Sequence, residues 1–174
     1  AAGNAGNIPF HLGYNATSDT SFTWVRYNPA YPFTYLQLWG DTADFPGIRF
    51  AVGADANLIA PSFRGSTALQ DFSYFNGINH ADTIFNNSGD RIAIVESFGS
   101  IQGPACLIEM IIRPDSTTYN WRLMTNGSGR FDMWKFYDGT YQPGFQISGL
   151  PSVATLPEMA YYKLPNITST IVSG

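Results

Sequence analysis

Two histidines, His11 and His80, are the only imidazoles in 174 residues, so an acyl-transfer triad would have to use one of them beside a nucleophile and a carboxylate. No Gly-x-Ser-x-Gly elbow or other nucleophile signature accompanies them. His80-Ala81-Asp82 could orient an imidazole locally, yet a histidine in a loop rich in Asn and Asp is normally a hydrogen-bonded surface group. A glycosidase needs two carboxylates about 5 to 10 Å apart. Glu96 and Glu109 lie on adjacent strand candidates and could face each other, but no single strand carries a pair of Glu. A hydrolase would require both to converge in one cleft. No catalytic residue is assigned, and the chain is read as not an enzyme.

Metal chemistry fares no better. Calcium takes six to eight oxygens, and Asp41-Thr42-Ala43-Asp44 or the run Asn76, Asn79, Asp82, Asn86, Asn87, Asp90 could supply several. Neither matches an EF-hand or a repeat-type calcium loop, and Asn and Asp gather in turns for their own backbone reasons. No metal and no cofactor is expected.

Sugar recognition is the chemistry these residue types suit best. An aromatic ring stacks on the C–H face of a pyranose while Asp, Asn and Gln exchange hydrogen bonds with its hydroxyls. Two segments have that make-up: Trp39 with Asp41 and Asp44, and Trp134, Tyr137, Asp138, Tyr141 and Gln142. These eight are the candidate glycan contacts, the second group being the stronger because aromatics beside turns are more often exposed. The competing use of every ring is the core, since 16% of the chain is aromatic.

The elements that must position these groups follow from composition. Only two lysines (Lys135, Lys163) and three glutamates (Glu96, Glu109, Glu158) occur, so the surface is wetted by short neutral polar side chains. Lys and Glu favour helices, whereas Thr, Tyr, Phe and Trp suit pleated sheets. Ile8, Phe10, Leu12 and Tyr14 alternate with Pro9, His11 and Gly13, the period of a half-buried strand, and a strand containing Pro belongs at an edge. Phe22 to Tyr27 and Phe33 to Trp39 follow, the latter a nearly continuous apolar run expected of a central strand buried on both faces. Further strand candidates are Ile48 to Val52, Asp71 to Phe75, Asp82 to Phe85, Arg91 to Phe98, Leu107 to Arg113, Tyr119 to Thr125, Arg130 to Tyr137, Ala160 to Leu164 and Ile167 to Val172. Gly99 to Pro104 is read as the turn between two of them. Asn126-Gly127-Ser128-Gly129 is a strong hairpin signal, and with Asp138-Gly139 it gives the last third the look of a meander.

Ten or eleven of these candidates taken as short strands, with little or no helix, predict an all-β fold, an antiparallel β-sandwich of jelly-roll type. Residues 1–7, small and polar, are expected to form a flexible lead, and 8–174 one sandwich domain. A domain of this length buries roughly 70% of the surface that its unfolded chain exposes. The single Cys106 sits in an apolar run and reads as a small buried hydrophobe.

Charge bounds the partners. The net charge is −4 and the nine basic residues are scattered, which removes the phosphate-neutralising stripe that nucleic acids require. No apolar stretch approaches the ~20 residues that span a bilayer, so no membrane insertion is expected. The start Ala1-Ala2-Gly3-Asn4 suggests a processed product, and sequons stand at Asn15, Asn86, Asn126 and Asn166. Ile8, Phe10, Leu12 and Tyr14 are the candidate subunit contacts, because such a strand can add to a partner's sheet edge.

The alternating segments cut by Gly, Pro and Asn give a texture that resembles viral capsid or fibre jelly rolls and bacterial surface adhesins or lectin-like modules. The resemblance implies a structural subunit of an extracellular, cell-surface or virion assembly, with self as partner and glycan-contacting loops. The alternative is a secreted monomeric carbohydrate-binding module.

Overall fold

The computed structural model describes residues 11–25, 28–56, 63–135 and 159–161. In chain order the strands are β1 (His11–Ala16), β2 (Thr20–Val25), β3 (Thr34–Asp41), β4 (Ile48–Asp55), β5 (Phe63–Ser66), β6 (Gln70–Asp71), β7 (His80–Phe85), β8 (Arg91–Gln102), β9 (Ala105–Pro114), β10 (Asn120–Gly127), β11 (Gly129–Lys135) and β12 (Met159–Tyr161). A 3-10 turn at Phe45–Gly47 and one helical turn, α1 (Phe72–Phe75), interrupt them. The strands form two sheets, ordered β1-β11-β3-β9-β8-β7 and β12-β2-β10-β4-β5, with β6 also on β4. Apart from the parallel pair β2 and β12, the ladders are antiparallel. The all-β, sandwich-like class expected from composition is what forms.

Period-two alternation drives the packing. On β3, Thr34, Leu36 and Leu38 are buried while Tyr35, Gln37 and Trp39 are half-buried. Leu36, Leu38, Ile108, Phe131 and Met133 of the first sheet meet Ile48, Phe50, Val52, Trp121 and Leu123 of the second in one core. Phe50 is the joint: its ring meets Phe131 edge-to-face at 5.2 Å and Phe45 at 5.2 Å. Complete burial of a Phe or Leu side chain contributes about 2 kcal/mol, and these positions have almost no exposure. Cys106 is buried at the edge of the same core, where burial pushes its thiol pKa up.

Several local expectations are corrected. The segment Asn126-Gly127-Ser128-Gly129 is not a hairpin turn, because β10 lies in the second sheet and β11 in the first. The glycines serve a crossover between sheets: Gly127 (φ +113°) donates its N–H to Thr17 O at 2.9 Å, and Ser128 donates to Gly47 O at 3.0 Å. A Cβ at Gly127 would stand 2.2 Å from Gly47 O. The meander expected for the last third is therefore absent from the described part of it.

Strand β3 is central in its sheet but buried on one face only, because the second sheet packs on one side and its aromatics belong to the other. The strand foreseen over Asp71 to Phe75 ends at Asp71, whose carboxylate accepts from Ser73 N at 2.9 Å and starts α1. An Asp N-cap outweighs the β propensity of Phe and Tyr there. Gly99 is mid-strand in β8 instead of in a turn, and a Cβ on it would come 2.8 Å from the Phe75 Cβ. Glycine in this strand admits α1 against the sheet, and the real turn is Gly103-Pro104. The lead 1–7 and the strand candidate Ile167 to Val172 lie outside the described residues.

Candidate functional site

The face of the first sheet turned away from the core is built by alternation and register together. Tyr35, Gln37 and Trp39 project there from β3 because Leu36 and Leu38 project inward. Antiparallel pairing sets Trp134 opposite Gln37 and Asp132 opposite Trp39 on β11. On the other side, Ile111 stands opposite Tyr35 and Glu109 opposite Gln37. Phe98 and Glu96 of β8 face Glu109 and Ile111 in turn. Directly opposed residues of an antiparallel pair share a face, so four strands contribute to one surface of rings, amides and carboxylates.

At its centre the Tyr35 hydroxyl donates to Glu109 Oε1. Gln37 Nε2 donates to the Tyr35 oxygen at 3.0 Å and to Glu109 Oε1 at 3.4 Å. Burial first, and the hydrogen bond to Glu109 second, push the Tyr35 phenol up to about 12. Glu96 Oε2 is held 3.0 Å from Arg113 Nη2, and the Arg113 guanidinium lies 5.5 Å from the centre of the Phe33 ring. A cavity of about 470 Å³ opens beside this cluster, lined by Tyr35, Asn79, His80, Glu96, Phe98 and Glu109 among others.

Glu96 and Glu109 thus line one cavity, as a hydrolase would require. Each is already engaged, Glu96 by Arg113 and Glu109 by Tyr35 and Gln37. His80 Nε2 donates to the Tyr74 carbonyl oxygen at 2.7 Å, and its ring stacks on the Tyr74 ring at 3.8 Å. Asp82 accepts from the Tyr74 hydroxyl at 3.0 Å. Tyr74, and not an imidazole–carboxylate pair, organises that corner. What the surface offers chemically is a set of hydrogen-bonding groups between ring faces.

Of the residues singled out from sequence, Trp39 and Trp134 come together on this surface, one strand apart with Gln37 beside them. Asp41 is occupied locally, its Oδ1 accepting from Ala43 N at 2.9 Å and Asp44 N at 2.7 Å. Asp44 is exposed in the turn that follows and receives Gly47 N on its carbonyl. Tyr137, Asp138, Tyr141 and Gln142 lie outside the described residues, as do Ile8 and Phe10. Leu12 pairs with Met133 in the ladder between β1 and β11. Tyr14 packs edge-to-face on Phe131 at 6.1 Å and donates to Ser21 Oγ at 2.9 Å. The strand expected to add to a partner's sheet edge pairs on one side with β11 and forms one edge of the first sheet.

In the candidate calcium loop, Asn86 Oδ1 accepts from Ser88 N and Asp90 N, both at 2.9 Å, which is a turn former's role. Among the described residues no three of His, Cys, Asp or Glu converge as a metal site would need. Sequence reasoning missed Tyr35, Gln37 and Phe98, and had Asn79 only among the candidate calcium oxygens. In β3, Tyr and Trp count as apolar and hide the alternation with Leu36 and Leu38.

No family model and no curated protein matches this chain. Its fold resembles the solved structure of the Clostridium perfringens CspB protease, with a TM-score of 0.56 and 16% identity over 87% of this chain. The match covers 30% of the protease, so the chain corresponds to less than a third of that protein's length. At this identity the likeness is one of fold. It nevertheless overturns the exclusion of an enzyme made from sequence, because such a sandwich occurs inside a proteolytic enzyme. The missing signatures were weak grounds, since catalytic groups are grafted on folds and a stretch without them can be part of an enzyme.

Proposed function

We propose that this chain is a β-sandwich module of a larger, protease-type polypeptide, in which it forms a rigid body packed beside the parts that cleave peptide bonds. The observation that carries the reading is the fold match of 87% of this chain to 30% of the CspB protease, an argument by analogy of fold. The finer jelly-roll description belongs to the same proposal. Strands β1, β11, β3 and β9 in one sheet lie against β2, β10, β4 and β5 in the other, the order that two interleaved Greek keys would give, with β7 and β8 added at the β9 edge. The test is to isolate the native protein that carries this sequence, weigh it and assay it on labelled casein. A mass well above 19.1 kDa with casein cleavage is expected; a native species of 19.1 kDa that leaves casein intact would sink the proposal.

A second reading, the structural subunit of an exposed assembly, draws on the edge position of β1, whose only partner among the described strands is β11. Edges of this kind invite pairing with another chain. Native mass spectrometry separates the two readings: a homo-oligomer of the 174-residue chain favours assembly, whereas a single copy within a longer polypeptide favours the module.

A further inference from the structure

We propose that the outward face of the first sheet binds a neutral oligosaccharide, one sugar seated in the cavity beside Tyr35 and the next along Gln37, Trp134 and Trp39. This goes beyond the protease-module reading and stands independently of it. The cavity, about 470 Å³, falls within the range of small-ligand pockets. Polar groups converge on it that have spare capacity. The Asn79 amide has no hydrogen-bond partner among the described residues, and Glu109 accepts its hydrogen bonds on Oε1, leaving Oε2 open there. An amide supplies donors and an acceptor while a carboxylate oxygen accepts, the combination that adjacent hydroxyls satisfy.

The rings make the apolar half of the site. Tyr35 and Phe98 border the cavity, and Trp39 lies four residues from Tyr35 on the same side of β3, roughly 13 Å along the strand. Trp134 occupies the neighbouring strand between them. A row of half-buried aromatic faces over that length suits an extended chain of pyranoses better than a compact ligand.

Charge selects the class. Glu96 is paired with Arg113 and Asp132 with Arg130 at 3.7 Å. Glu109 is the other carboxylate lining the cavity, and its charge is spread into hydrogen bonds from Tyr35 and Gln37. Phosphate, sulfate and uronic acids would meet this carboxylate unfavourably, while a neutral hydroxyl meets an acceptor. A small organic cation is the competing occupant.

The experiment is calorimetric titration of the 174-residue chain with cellohexaose, xylohexaose, laminarihexaose and chitohexaose, and with tetramethylammonium as the cation probe. At least one hexasaccharide should bind in the micromolar to millimolar range. Asn79→Ala, in an exposed position where the fold is indifferent to it, should weaken that binding roughly tenfold; Trp39→Ala and Trp134→Ala should each weaken it about fivefold, with parental circular dichroism throughout. Saturable binding of tetramethylammonium without any hexasaccharide, no binding of the four sugars at millimolar concentration, or sugar binding unchanged in Asn79→Ala and Trp39→Ala would each overturn the proposal. A sugar-binding chain found outside any protease would leave it standing while removing the module reading.

Discussion

Arg122 Nε lies 3.2 Å from Asp55 Oδ2 with both side chains almost wholly buried, and the guanidinium is held between the Phe22 and Phe63 rings at 4.8 and 4.7 Å. The pair sits on the face of the second sheet opposite to Trp121 and Leu123, which belong to the core. Gly53 makes the space: a Cβ there would come 3.0 Å from Arg122 Nε. The contact is an ion pair by distance and not an aligned hydrogen bond, since neither Asp55 oxygen nor Arg122 Nε completes one. Burial is the largest influence on both partners, raising Asp55 and lowering Arg122.

Removing the cation strands the carboxylate. Arg122→Met should destabilise the chain by about 3 kcal/mol at pH 7, the usual consequence of breaking a buried pair from one side. The loss should shrink at pH 5, where Asp55 can take up a proton. Urea denaturation at the two pH values measures both, and an equal loss at each would refute the account.

Asp55 itself sets a pH dependence. Its pKa is pushed up to about 6 from 3.8 by burial, opposed by Arg122 and Arg64. A raised folded-state pKa contributes stability that is fully present below the unfolded value and is lost as pH rises through the folded one. The parent should therefore gain stability between pH 7 and pH 4 relative to Asp55→Asn, which mimics the protonated form and lacks this titration. A parent-minus-variant difference that is flat with pH, or that falls on acidification, would count against it.

The Tyr35–Glu109 contact predicts a late phenol. Tyr35 should ionise near pH 12 in an absorbance titration at alkaline pH, and Glu109→Gln should bring that step down by removing the negative charge. Because the folded pKa exceeds the ordinary 10.0, the stability tied to this group is present below pH 10 and fades as pH rises through 12. A titration with no step that moves in Glu109→Gln would show that the contact does not form.

At the crossover, Gly127→Ala combines a positive φ with a Cβ placed 2.2 Å from Gly47 O. Backbone strain and the forced displacement together should cost about 3 kcal/mol, read as a lower melting temperature. Gly103→Ala, with φ +62° but open space around it, should cost about 1 kcal/mol. Equal effects at the two sites would mean that the close approach to Gly47 is not what demands the glycine.

The site was legible only in part. Trp39 and Trp134 were recognisable as rings near turn residues, but they stand 95 positions apart in the chain and nothing local says that they share a face. Asp41 and Asp44 looked like ligand groups because Asp serves turns and sugars with the same oxygen, and the Ala43 and Asp44 amides claim it here. Glu96 and Glu109 could be placed on neighbouring strands from β-branched runs alone. Their engagement by Arg113 and Tyr35 needed the register.

Most strand identities came from the order of residues by itself, Asp71 to Phe75 and the unforeseen β5 apart, since a period of two in hydrophobicity and the punctuation by Gly, Pro and Asn act within a few neighbours. Sheet membership did not. Asn126-Gly127-Ser128-Gly129 has the composition of a hairpin and joins two sheets, because β10 finds its partners in β2 and β4 and β11 finds its partners in β1 and β3. Those ladders close over long stretches of chain, and only the meeting of two apolar faces around Phe50 and Phe131 decides among the pairings that local signals leave equal. The outward surface carrying Tyr35, Gln37, Trp39 and Trp134 is a consequence of that choice.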